Sequence, residues 1–84
     1  MTINRLLVAN RGEIAIRIMR TAADLGINTV AVYSADDSNS LHLRKADDAV
    51  QLKGQGAQAY LDVADIIAAA KSSECDAVHP GYGF

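Results

Sequence analysis

The stretch Arg5-Leu6-Leu7-Val8-Ala9-Asn10-Arg11-Gly12 decides how the chain is read. Five residues, four of them apolar, run into a polar turn, and a helical pattern begins at about Glu13 and reaches Leu25. An apolar run this short, bounded by turn residues, reads as a strand buried on both faces. Gly26 then stops the helix, because glycine accepts the positive φ needed just past a helix end. Strand, turn, helix is the first half of a β-α-β unit.

The remaining chain repeats that logic. NTVAVYS (28–34) is rich in β-branched residues and reads as a second strand. A polar loop, 35–39, leads to a short helical turn at about 41–45. DAVQL (48–52) reads as a third strand and KGQGAQ (53–58) as a loop. A second long helix opens at Leu61-Asp62, with Asp62 as N-cap and Asp65 three residues on, a variant capping box. DAVHP (76–80) is the fourth strand, stopped by Pro80, which has no N–H to donate. The expected fold class is α/β, a Rossmann-like open parallel sheet of about four strands with helices on both faces. A 3-2-1-4 strand order follows, with a switch point between strands 1 and 4 that brings ANRG beside HPGYG.

Composition narrows the function classes. The chain has 84 residues, 8 basic and 10 acidic side chains and a net charge of -2, so it offers no basic field for nucleic acid. The most apolar stretch, 63–70, is broken by Asp65, so no bilayer-spanning segment is expected. The N-terminal residues lack a hydrophobic core long enough for a secretory signal. One cysteine, Cys75, makes no internal disulfide and reads as a small residue near a helix end, which fits a cytoplasmic location.

On a helical wheel, Ile14, Ile18, Ala22 and Leu25 form one stripe, flanked by Ala15 and Met19. Ile16 and Ala23 widen the apolar arc beyond what one sheet face requires. Either two apolar residues are incidentally exposed, or Ile16 and Met19 with nearby arginines meet a second domain or subunit.

A strand followed by a glycine and a helix also suggests dinucleotide binding, but that fingerprint needs three glycines. ANRGEIAI has only Gly12, and Glu13 puts negative charge where a pyrophosphate would approach. Asp36 and Asp37 lie where an acid would hold a ribose, and serve equally as turn residues. Gly54 and Gly56 lack the GK[ST] of a phosphate-binding loop. His42 reads as a surface or cap histidine, while His79 closes a strand or orients a tight turn. No metal-ligand spacing is present.

Taken in order, ANRGEIAIRI, LGINTVAVYS..D, LH...ADDAV, YLD...II..A and HPGYGF resemble the N-terminal domain of biotin carboxylase, the ATP-grasp component of acyl-CoA and pyruvate carboxylases. The resemblance implies a multidomain ligase that carboxylates biotin with Mg-ATP and bicarbonate through carboxyphosphate. It makes residues 1–84 a truncated pre-ATP-grasp domain, inactive alone and binding neither biotin, ATP nor Mg by itself. No catalytic or metal-binding residue is carried over, because in the family these lie C-terminal to this segment. His79, Gly81, Tyr82 and Gly83 would form the cleft edge, with Tyr82 and Gly83 touching biotin. Ile16, Arg17, Met19, Arg20 and Asp24 would face a homodimer partner. The implied partners are the ATP-grasp domain of the same polypeptide, a biotin carboxyl carrier and a carboxyltransferase, with no nucleic acid and no membrane. The competing expectation is a stand-alone, non-catalytic binding module.

Overall fold

In the computed structural model, residues 3–37, 39 and 41–80 are described, residue 57 by its backbone alone. Four parallel strands, β1 (Arg5–Val8), β2 (Asn28–Tyr33), β3 (Asp48–Gln51) and β4 (Ala77–His79), lie in the order β3-β2-β1-β4. Between them run α1 (Gly12–Asp24), a 3-10 turn (Ala35–Asp37), α2 (Leu41–Lys45), α3 (Gly56–Ala59) and α4 (Val63–Ser72). The expected fold class and strand order are both present.

Alternation along β1 divides the core into two layers, because successive side chains leave a strand on opposite faces. Val8 packs with Ala15, Met19 and Ala31 on the side of α1 and α2, with Leu6 and Leu43 against them. Leu7 and Ala9 pack with Val32, Leu52, Tyr60, Ile66 and Ala69 on the side of α4. Leu7, Val8, Val30 and Val32 have no exposed surface, as a strand covered on both faces requires.

Local signals explain where each helix ends. After α1, Gly26 has φ +75, its N–H bonds to the Ala23 carbonyl at 3.0 Å, and the Ile27 N–H reaches Ala22 at 2.9 Å. That 6→1 and 5→2 pair is a Schellman closure. The same closure ends α4, where Cys75 N–H bonds to the Ala70 carbonyl at 2.9 Å and Glu74 N–H to Lys71 at 3.2 Å. There the left-handed position is held by Glu74 at φ 61, not by a glycine. At its start, α4 is capped as expected, Asp62 accepting from the Asp65 N–H at 3.2 Å.

Two local expectations fail. The KGQGAQ stretch is not all loop: α3 starts at Gly56, whose N–H donates to Asp36 at 3.1 Å from twenty residues away. Asp65 does not fold back onto the N-cap; its carboxylate accepts from the Lys53 N–H at 2.7 Å, tying α4 to the end of β3.

The amino edge of the sheet is fastened by Asp76. Its two oxygens accept from the Asn4 and Arg5 N–H groups, each at 3.0 Å, and these amides hold its carboxyl below the usual aspartate value. Arg5 in turn donates through Nε to the Ser73 carbonyl at 2.7 Å and reaches Asp48 at 3.1 Å. With the amino edge fastened by backbone contacts, the chemistry-bearing turns lie at the opposite, carboxyl edge.

Candidate functional site

At the carboxyl edge, β1 and β4 run side by side with Val8 opposite His79, and the Ala9 N–H donates to the His79 carbonyl at 3.0 Å. The switch point expected between strands 1 and 4 is therefore formed. It sets the Asn10-Arg11-Gly12 turn against the end of β4. Crevices at such points are where open parallel sheets bind ligands. Of the four cleft-edge residues, only His79 lies in the described part; Gly81, Tyr82 and Gly83 lie outside the described residues.

His79 shares the sheet face of Leu6 and Val8, and with α1 it lines an open groove of about 590 Å³. Leu6, Ile14, Ile18 and Leu25 supply apolar wall, and Arg17 lies along it. Leu25 is 70% exposed, an unusual amount for a leucine next to a core. On the other face of β4, Val78 is 41% exposed, so this strand is uncovered on both sides among the described residues.

The second expected surface, the outer side of α1, divides. Arg17, Arg20 and Asp24 are exposed and Ile16 is half-buried. Met19 is corrected: it is 2% exposed and packs inside the chain with Val8, Ala15 and Ala31. The wide apolar arc has a cause within the domain, because α2 lies on the same face of the sheet as α1 and brings Leu43 against this cluster. Arg17 pairs with Glu13 at 3.5 Å, both exposed, a contact worth about 0.2–0.5 kcal/mol. Arg20 borders a smaller groove of about 250 Å³ with Ile16, Ala23 and Lys45.

A polar hub at the same edge has no counterpart in the sequence reading. One oxygen of Asp37, Oδ2, accepts from the Tyr60 hydroxyl at 2.7 Å, from Arg11 Nη1 at 3.0 Å and from the Ser34 hydroxyl at 3.4 Å. Tyr60 is 4% exposed, its oxygen accepts from the Ser34 N–H at 3.3 Å, and the Arg11 guanidinium lies 5.3 Å from its ring centroid. The Tyr60 hydroxyl, then Arg11, hold the Asp37 carboxyl below its usual value. Burial, then the Asp37 carboxylate, push the Tyr60 phenol above its own. The hub joins the ends of β1 and β2 to the entry of α4. Asp36 and Asp37 are thereby committed to Gly56, Tyr60 and Arg11, which favours turn chemistry over a ribose-binding acid.

His42 is also corrected. It is not a surface residue but 1% exposed, with Nε2 at 3.2 Å from the Val32 carbonyl. Since a carbonyl only accepts, Nε2 carries the proton; Nδ1 is buried without a hydrogen-bond partner among the described residues. Such a ring anchors α2 to β2. Among the described residues no three His, Cys, Asp or Glu side chains gather as metal ligands.

Comparison with known proteins decides between the fold's many users. A family model described as biotin carboxylase, N-terminal domain, matches residues 2–84. The chain belongs to the biotin carboxylase N-terminal domain family. It is 55% identical to human mitochondrial pyruvate carboxylase over 85 residues, covering 98% of this chain and 7% of that protein. Biotin carboxylase 1 of Bacillus subtilis is 51% identical over 83 residues, covering 98% of this chain and 18% of that protein. Among solved structures, a single-chain, multi-domain long-chain acyl-CoA carboxylase superposes with a TM-score of 0.93 at 56% identity. That match covers all of this chain and 8% of the other. The chain thus spans less than a fifth of the length of these relatives. Its α/β unit is the biotin carboxylase N-terminal domain, and the stand-alone binding module is not favoured.

Proposed function

We propose that this domain is the scaffold at the head of a biotin carboxylase that uses Mg-ATP and bicarbonate to carboxylate biotin on a carrier, through carboxyphosphate. In this reading it contributes one wall of the active-site cleft and none of the reacting groups. The observation that carries the reading is the unfinished side of the sheet. β4 is an edge strand with exposed side chains on both faces, beside an apolar groove of about 590 Å³. An apolar surface of that kind marks an interaction site, and relatives five or more times longer offer the polypeptide to cover it. The carrier and carboxyltransferase belong to the same proposal as partners of the intact enzyme.

In this reading the nucleotide and the metal are held outside this domain. The β1–α1 turn has one glycine followed by Glu13, and no carboxylates cluster as magnesium ligands among the described residues. Of the four expected cleft-edge residues, His79 alone falls in the described part. No chemical step is therefore routed through this domain. Its own contribution is positional: Ala9 holds the His79 carbonyl, and the Asp37 hub holds the turn that carries Arg11.

The exposed side of α1 supports a second element of the proposal, a homodimer contact made by Ile16, Arg17, Arg20 and Asp24. No ion pair joins Arg20 to Asp24 within the helix among the described residues, which leaves both charges for a partner. Purified residues 1–84 are expected to show no bicarbonate-dependent ATP cleavage above a blank preparation. Turnover by the isolated chain would overturn the scaffold reading.

A further inference from the structure

We draw no further inference here: the strongest candidate, the apolar groove between α1 and β4, is already assigned to the remainder of the polypeptide, and nothing in the structure shows which segment covers it.

Discussion

Replacing Asp37 with alanine removes one carboxylate that three side chains share, and its cost follows from the geometry. The Tyr60 hydroxyl donates to it at 2.7 Å from a ring that is 4% exposed. A hydrogen bond to a charged acceptor contributes about 1.5–3 kcal/mol, and the phenol retains its acceptor contact with the Ser34 N–H. Arg11 is 39% exposed at its side chain, so that ion pair is discounted for solvent screening to roughly 0.5–1 kcal/mol. The Ser34 hydroxyl, at 3.4 Å, adds little. The expected loss is about 2–4 kcal/mol, against a total of roughly 4–12 kcal/mol for a domain of this size. Urea unfolding followed by far-UV circular dichroism should show the midpoint falling by about 2 M with an unchanged slope. Asp36→Ala, which loses exposed contacts to Ser34 and to the Gly56 N–H, should move it far less. If the two variants shift the midpoint equally, the hub does not hold the carboxyl edge, and the argument built on Oδ2 fails.

The hub also sets a pH window. The folded Asp37 value is depressed below 3.8, so its stabilisation is present above that value and lost as pH falls through the folded one. The folded Tyr60 value is raised above 10.0, so its contribution is present below that value and lost as pH rises through the folded one. Unfolding midpoints measured against pH should fall at both ends, and Asp37→Asn should flatten the acidic arm; an unchanged acidic arm would count against the hub. Glu74→Gly should raise stability by about 1 kcal/mol, because glycine occupies a φ of 61 without strain; no change in the urea midpoint would contradict this. Asp62→Ala should cost about 1 kcal/mol by removing the α4 cap, read in the same titration. In an intact enzyme, Arg20→Glu should weaken self-association, and an unchanged sedimentation coefficient would remove the dimer contact.

Much of the architecture could be read from the sequence because its signals are local. Continuous apolar strands, the Gly26 stop and the Asp62 cap each depend on a few neighbouring residues. Handedness of the crossovers then leaves little freedom in the strand order. What escaped depends on partners far along the chain. Tyr60 and Asp37 are separated by 23 residues, and no spacing rule joins them. The α3 turn follows Gly54 and starts on Gly56, two glycines that signal a break, yet its first N–H is satisfied by Asp36. His42, in a short turn after a polar loop, gave no hint that its ring would be buried against Val32. Met19 belongs to an arc wide enough for two contacts, and the second turned out to involve α2 on the same sheet face. Of the cleft edge, the register of Val8 with His79 follows from the strand order, whereas Gly81, Tyr82 and Gly83 lie outside the described residues.

A chimera tests the central claim most directly: residues 1–84 of this chain replacing the matching segment of Bacillus subtilis biotin carboxylase 1, which is 51% identical. Bicarbonate-dependent ATP cleavage and carboxylation of free biotin are measured beside the isolated chain. The scaffold account predicts an active chimera and an inactive isolated chain. A chimera that folds but cleaves no ATP, or an isolated chain that does, would contradict it.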